Sequence, residues 1–564
     1  MRRFISWKQY HRWFGLVLSV FMLVFCVSGI ILNHRSLFRS CEVSRGWMPT
    51  SYHICNFNNG IIKGTLSLRD DSCAVGNYSL GDGSTVGGSK VIAFGGAGVW
   101  LTDSRAKQWL DYNQGLPEGA DNRNIRNIVQ TQDGSLWMAA QYDVYHHDGK
   151  RWQRVELPGN EARISDIALN GDSTQVVALT RDAAYVILPS VGQNVGIGRA
   201  KDCSRQIKMK VLAAPNGYKP ETTLFKTVWK LHSGEFFGLP GKLVVDAIAV
   251  VLIVLSLTGI ILFILPYGIR SQKRKGKKEV IKKMGKQMVW NQKWHNKIGY
   301  ATIILTLWLS VTGMCLRPPL MIPLVLTKTP QSVENGNVWQ DKLRGIRWDE
   351  AQGCWLVSTS EGFLKVDADF QKAPVFFDKD KAPVISPMGI TVFERIKADE
   401  WLVGSFSGLY RWNAQTGRVV DAFTGKPEDK KTMRPVSNSL VSGYSGDFLG
   451  GKSLIFDYAK GAQEMGKLMS ESAMSDKSMS DNATETAPLV MPEILSHAKM
   501  SLWNVALELH VGRCYTPFLG PISDLFVFLS GLLISLVLLS GFIILHRQKR
   551  KRKQHAQRNT AKES

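Results

Sequence analysis

Apolar and polar positions alternate in two distinct ways along this chain. Four runs, near 11–33, 240–266, 297–316 and 522–546, are almost wholly apolar. Each approaches the roughly 20 residues a helix needs to cross a bilayer core, so the pattern predicts four membrane-spanning helices. Between them lie two long stretches, about 34–228 and 317–505, in which short apolar segments are broken by Asp, Asn and Gly. IRNIVQTQDGSLWMAAQYDVYHHDGKRW, from Ile125, recurs loosely 39 residues later as ISDIALNGDSTQVVALTRDAAYVILP, from Ile164. In the second stretch the segment around Trp355 recurs around Trp401, 46 residues on. A repeat of about 40–45 residues with short strands and polar turns fits β-propeller blades. Three or four such units are readable in the first stretch and two or three in the second. One propeller built from both stretches avoids exposed sheet edges; two separate β-domains are the alternative.

The apolar runs carry a second pattern. HRWFGLVLSVFMLVFCVSG begins at His11 and HNKIGYATIILTLWLSVTG at His295, 284 residues later, each with Gly at i+4 and a Ser/Thr-Gly pair ending at i+18. LHSGEFFGLPGKLVVD around His232 and LHVGRCYTPFLGPISD around His510 both place Gly two and Asp fourteen residues after the histidine. The chain therefore reads as two duplicated two-helix units. The fold class expected is membrane α + β: a four-helix transmembrane bundle with a propeller-like β-domain built from two loops.

Charge sets the orientation. The net charge is +23, and fifteen of the basic residues lie in Arg270–Lys286 and Arg547–Lys553. Both stretches abut predicted spans, so the positive-inside rule puts both termini and the 267–294 segment in the cytoplasm and both long loops outside. This distribution argues against nucleic acid as a partner. The organisation expected is a cytoplasmic N-terminus and first span (1–34), a β-rich exported region (35–228), a second span (229–266), a basic cytoplasmic loop (267–294), a third span (295–317), a second β-rich region (318–458), a Met-rich disordered linker (459–490), a helical lead-in (491–521), a fourth span (522–546) and a basic tail (547–564). The first span is read as a retained signal anchor, because its apolar run is long and no cleavage-like site follows. Of eight cysteines, Cys41, Cys55, Cys73, Cys203 and Cys354 fall in the exported loops; Cys41 and Cys55 are the nearest pair there.

Parallel repeats related by an axis along the membrane normal place equivalent residues at equal depth. His11 is then expected to face His295, and His232 to face His510. Each pair could give two axial imidazoles to one haem iron; about 27 Å of helix separates His11 from Gly29, so two such sites lie near opposite bilayer faces. Gly15 and Gly299 make room beside their histidines. His34 is a further outer candidate, and whether it or His510 completes the outer pair stays open. Interfacial histidines are the plain alternative, and His546 is read that way. Asp246 and Asp524 are read as caps, second-shell partners or proton carriers.

The phrases HRWFGLVLSVF, LHSGEFFGLPGKLVVD, WHNKIGYATIIL and LHVGR resemble the PepSY-associated transmembrane helix family across all four spans, while the exported regions are similar to propeller repeats of bacterial two-component sensors and show no PepSY domain. The resemblance implies a bacterial inner-membrane protein with two haem b groups on His11, His295, His232 and His510, with His34 as an additional candidate. It implies reduction of ferric compounds such as siderophores during iron uptake. The basic cytoplasmic segments lack a glycine-rich dinucleotide fingerprint, so the expected electron donor is quinol, reduced flavin or a cytoplasmic reductase. The second reading is a membrane-anchored propeller acting as sensor or docking platform; a folding or peptidase-inhibiting factor is a third.

Overall fold

The computed structural model describes residues 7–69, 90–159, 162–188, 206–331, 336–386, 388–427, 439–466 and 489–563. The chain divides into two compact units, one of residues 1–38, 221–331 and 502–564, the other of residues 39–220 and 332–501.

The first unit is helical. Helix α1 is Trp7–Asn33, α2 Leu224–Ser233, α3 Gly238–Arg274, α4 Lys278–Ala301, α5 Ile303–Cys315, α6 Leu502–His510 and α7 Ser523–Glu563. Helices α1, α3 and α7 are each long and apolar enough to cross a membrane, and α4 with α5 makes a fourth candidate bent by 67°. Two expectations need correcting here. The third span is not one straight helix: it breaks at Thr302, where Thr302 and Thr306 turn their hydroxyls back onto the Ile298 and Thr302 carbonyls at 2.9 and 3.1 Å. Such back-bonding by threonine bends helices. The basic 267–294 segment is not a loop either. Lys, Gln, Glu and Met are good helix formers, and α3 and α4 run through the segment except for a turn at Gly276 with φ 67°.

The short helices α2 and α6 end in the same way. Gly234 and Gly512 follow His232 and His510 in the left-handed conformation, at φ 78° and 84°. A Cβ on Gly234 would come within 2.3 Å of the Gly241 carbonyl, so glycine is required where the chain turns into α3. The repeated His-x-Gly pattern thus marks a helix end with histidine in its last turn. Cys26, Ile248, Ala249 and Leu252 pack where α1 meets α3, with Trp308 and Leu538 against them.

The second unit is a ring of antiparallel sheets. Six sheets, over 64–111, 125–155, 164–210, 343–376, 392–421 and 441–464, each meander through strands in chain order, four strands in the first five and three in the last among the described residues. The second strands, such as Leu136–Ala140, Val176–Thr180 and Cys354–Thr359, are buried along their whole length. Continuous apolar strands are what a sheet needs when it is covered on both faces.

Successive sheets share apolar clusters. Ile92 and Leu101 meet Ile128 and Met138; Trp137 and Ala139 meet Ile167 and Ala178; Val177 and Leu179 meet Ile346 and Val357. Leu356 and Phe363 meet Phe393 and Val403; Leu402 and Leu409 meet Val441 and Ile455; and Phe448 and Phe456 meet Val91 and Ala93. The last contact joins the sixth sheet to the first. The Tyr444 amide donates to the Lys63 carbonyl at 3.1 Å, and the Thr65 and Ser445 hydroxyls are 2.7 Å apart. The two β-rich stretches form one closed, propeller-like ring with three sheets from each.

The boundaries of the β-rich regions differ from those expected. Lys328–Pro330 pairs with Glu221–Thr223 inside the helical unit. Residues 459–466 are not linker: Gly461–Glu464 is the last strand of the sixth sheet, because its edge pairing with Leu454–Asp457 offsets the lack of apolar residues. The rest of the Met-rich segment, 467–488, lies outside the described residues, as do Cys73 and Cys203. Residues 493–501 are not lead-in but part of the ring unit, where Met500–Ser501 pairs with Glu42–Val43. Cys41 and Cys55 are both free thiols.

Candidate functional site

The helical unit brings the four repeated histidines together in two pairs. The His11 and His295 ring centroids lie 6.4 Å apart with planes at 72°, and those of His232 and His510 lie 6.3 Å apart at 53°. Neither pair is stacked.

Each ring is held by its Nδ1 atom in the same manner. His11 Nδ1 lies 3.0 Å from the Ser540 hydroxyl and 3.0 Å from the Val537 carbonyl. His510 Nδ1 lies 2.9 Å from the Ser28 hydroxyl and 3.1 Å from the Phe25 carbonyl. His295 Nδ1 lies 2.8 Å from the Thr258 hydroxyl, and His232 Nδ1 3.0 Å from that of Thr312. Carbonyl oxygens only accept, so Nδ1 of His11 and His510 carries the proton. The hydroxyls give the same answer for all four rings. Ser28, Thr258, Thr312 and Ser540 donate their own protons to the carbonyls of Val24, Val254, Trp308 and Val537, at 2.6, 2.6, 2.9 and 2.7 Å. A hydroxyl spent in this way faces the imidazole with lone pairs and takes the Nδ1 proton. This tautomer is assigned from the hydrogen-bond network. It leaves each Nε2 with a free lone pair, the form that ligates metal.

The glycine after each hydroxyl residue lies against the same ring. A Cβ on Gly313 would come within 2.8 Å of His232 Cε1, and one on Gly541 within 2.9 Å of His11 Cε1. At Gly29 and Gly259 the approach to His510 and His295 would be 3.4 and 3.7 Å, which is ordinary contact. Gly15 and Gly299, singled out in the sequence, face Val537 and Leu255 at 3.8 and 3.6 Å. They are helix-contact positions, and the close approach to the rings is made by Gly313 and Gly541. Two of the four hydroxyl-glycine pairs, Thr258-Gly259 and Ser540-Gly541, were not picked out from the sequence. Their signal was the Leu-Thr-Gly of α3 and the Leu-Ser-Gly of α7. Asn291 was missed as well; it is buried on α4 and donates to the Thr258 carbonyl at 2.9 Å.

The other candidates sit elsewhere. His34 is not drawn to the His232–His510 pair. Its Nε2 binds Asp246 Oδ2 at 2.6 Å, while Asn33 Nδ2 reaches Asp246 Oδ1 and the Ser233 carbonyl, each at 3.2 Å. Asp246 lies well inside α3 and is a partner for this cluster, not a helix cap. Its sequence counterpart Asp524 lies in the first turn of α7, where a negative charge suits the helix dipole, and stands 4.0 Å from Arg317. His546 stacks on Phe542 at 6.0 Å between ring centroids.

The donor set can be tested against haem. A metal–imidazole bond is about 2 Å, so two imidazoles can share one ion only if their rings lie within several ångströms of each other. Both pairs meet that condition, at 6.4 and 6.3 Å between ring centroids. No group of three or more His, Cys, Asp or Glu suited to a metal occurs among the described residues. Two neutral imidazoles alone do not fill the coordination of zinc or copper(II). They do suit an iron whose remaining positions are filled by a macrocycle.

Fold and site together define a membrane protein whose apolar helices carry paired, hydroxyl-braced histidines, with a propeller-like unit inserted in two parts. The chain belongs to the PepSY-associated TM region family, whose model matches residues 2–265 and 267–549. No curated protein matches it in sequence. Among solved structures it is similar to the extracellular domain of BT4673 from B. thetaiotaomicron, at 9% identity and TM-score 0.32, over 73% of this chain and 39% of that one. A structural genomics protein of unknown function from Bacteroides thetaiotaomicron gives 8% identity and TM-score 0.33, over 73% and 70% of the two chains. The beta-propeller domain of Myceliophteria thermophila Cps50 (Swd1) gives 11% and 0.29, over 73% and 87%. Scores this low carry no argument about this chain.

Proposed function

We propose that this protein carries electrons across a bacterial inner membrane through two b-type haems and delivers them to a periplasmic acceptor, a ferric chelate in iron uptake. His11 with His295 would hold one group and His232 with His510 the other, in a four-helix bundle formed by two duplicated units. The observation that carries this reading is the fourfold recurrence of one arrangement: Nδ1 bound to a Ser or Thr hydroxyl, and a neutral imidazole paired with a second at 6.3–6.4 Å between centroids, close enough for both to hold one iron. Interfacial histidines have no reason to share a tautomer, a hydroxyl partner and a mate. Bound haem would supply reversible one-electron chemistry.

The chain's own residues do the rest. The four hydroxyls orient the rings and raise their basicity. The apolar faces of α1, α3, α5 and α7 keep the sites dry. The basic Arg270–Lys286 and Arg547–Lys553 segments favour the cytoplasmic side, which puts the propeller-like unit in the periplasm. The donor is then quinol, reduced flavin or a cytoplasmic reductase.

Purified protein is expected to show b-type absorption with two haems per chain, and His11→Ala or His295→Ala to remove the same one. Dithionite-reduced protein should be reoxidised by ferric chelates in stopped flow, more slowly in His232→Ala and His510→Ala. Absence of haem in protein expressed with haem supply would sink the reading and leave the propeller-like unit as a membrane-anchored sensor or docking platform.

A further inference from the structure

The ring unit holds a cationic cluster that plays no part in the histidine pairs. Lys63 immediately precedes the first strand of the first sheet, and Arg163 that of the third. Arg126 and Arg344 are the second residues of the first strands of the second and fourth sheets. Hydrogen bonds stitch these positions together. Lys63 Nζ donates to the Ile125 carbonyl at 3.1 Å. Arg126 Nη2 donates to Gln141 Oε1 at 3.1 Å, and the Gln141 carbonyl accepts from the Ile164 amide at 3.1 Å. The Arg181 amide donates to the Arg163 carbonyl at 3.0 Å, and the Arg181 carbonyl accepts from the Leu343 amide at 3.1 Å. Five cations from four sheets are thereby gathered in one region, where Arg126 acts on Lys63, and Arg344, Arg163 and Arg126 act on Arg181.

Three carboxylates lie among them. Asp341 Oδ1 stands 3.7 Å from Arg181 Nη1, and Asp182 Oδ1 takes the Asp341 amide at 2.6 Å. Asp121 is engaged by Gln141 Nε2 at 3.3 Å. Asp341 and Asp182 also act on Arg344, pulling its pKa up against burial and the neighbouring Arg163, which together leave it lowered. Arg344 spends Nη1 and Nη2 on the Leu343 and Asp341 carbonyls at 3.0 and 2.8 Å, and its buried Nε has no partner among the described residues. Burial, then the neighbouring Arg344 and Arg163, push the Arg181 guanidinium down to about 9, against the pull of Asp341. Like charges crowded in this way are costly unless an anion relieves them.

We propose that this cluster is a binding site for a small polycarboxylate. Guanidinium groups pair bidentately with carboxylates, and cations spread over several sheets match a ligand with several separated negative groups. The cluster uses no helix N-terminus of the kind that favours a single phosphate. The inference concerns the ring unit alone and does not depend on haem.

The test is calorimetric titration of the detergent-solubilised full chain with citrate at low ionic strength, with acetate and inorganic phosphate as comparison ligands. One citrate per chain is expected, with acetate at least tenfold weaker and affinity falling as salt is added. The Arg126→Gln/Arg344→Gln double variant should bind at least tenfold more weakly. Arg163→Gln, whose side chain makes none of the hydrogen bonds that hold the sheets among the described residues, should lose about threefold while keeping the wild-type circular dichroism. Absence of saturable citrate binding, unchanged affinity in Arg163→Gln, or phosphate binding as tightly as citrate would each overturn the proposal. Haem content and reoxidation rate report separately on the histidine pairs, so either reading can fail while the other stands.

Discussion

The α7 backbone at Gly541 lies so close to the His11 imidazole that a Cβ there would stand 2.9 Å from Cε1. Gly313 has the same relation to His232, at 2.8 Å. Contacts this short force a side chain to move. Gly541→Ala is expected to displace His11 and lower haem content from two per chain toward one. Gly313→Ala should remove the other haem. Gly259→Ala, at an ordinary 3.7 Å, should retain both. Haem quantified by pyridine haemochrome against protein concentration separates these outcomes; equal loss in all three would mean the close approach is irrelevant.

The bracing hydroxyls should tune what the rings hold. Removing the partner of a ligating histidine typically costs 10–100-fold in affinity. Thr312→Val and Thr258→Val preserve shape and delete the acceptor, so haem dissociation should quicken by about tenfold at one site only. The midpoint potential of that site should rise, because a less basic ligand stabilises the oxidised iron less. Thr→Ser should restore both. Potentiometric titration of each variant checks the direction, and a Val variant with wild-type potentials would exclude the role.

Within the ring, Arg347 ties three sheets together. It donates to Asp166 Oδ2 at 2.6 Å, to the Phe393 carbonyl at 2.7 Å and to Glu394 Oε1 at 3.5 Å. Asp166 is buried. Deleting one partner of a buried ion pair costs about 3–5 kcal/mol. Arg347→Ala should therefore lower the unfolding midpoint of the ring in urea sharply, while Arg395→Ala, whose ion pair with Glu350 is exposed, should change it little.

His147 gives the ring a pH dependence of known sign. It is buried, stacks on Tyr112 at 4.8 Å, and its Nδ1 accepts the Gly149 amide at 3.1 Å. Burial lowers its pKa to about 4, with Asp148 opposing the shift. The folded value lies below the unfolded one, so the unfolded chain binds the proton first. The stability it contributes is present above about pH 6.5 and is lost as pH falls toward 4. Urea midpoints measured at pH 7.5 and 5.0 should differ less in His147→Gln than in wild type.

Much of the architecture was legible because its signals are local. Apolar runs reveal spans, and the apolar second strands around Trp137 and Trp355 reveal sheets covered on both faces. The repeated His-x-Gly was legible as a duplication, and the structure adds that it ends α2 and α6, with both glycines left-handed. Other features depend on distant partners. The break at Thr302 comes from a threonine that any straight helix would also tolerate. His34 and His510 look alike as outer histidines in the sequence; only folding shows that Asp246 takes the first. Thr258 and Ser540 are ordinary helix residues until an imidazole from another helix reaches them. The strand at Gly461–Glu464 has a linker's composition and owes its form to the edge it completes.

The bracing runs between the two halves of the chain in every case. His11 rests on Ser540 and His295 on Thr258, while His232 rests on Thr312 and His510 on Ser28. Each half therefore supplies one histidine to each pair and the brace for the histidine it faces. Neither half can drift alone: a change in one is felt by an imidazole belonging to the other. Severed between residues 266 and 267, the two pieces would each be left with histidines that have nothing to lean on.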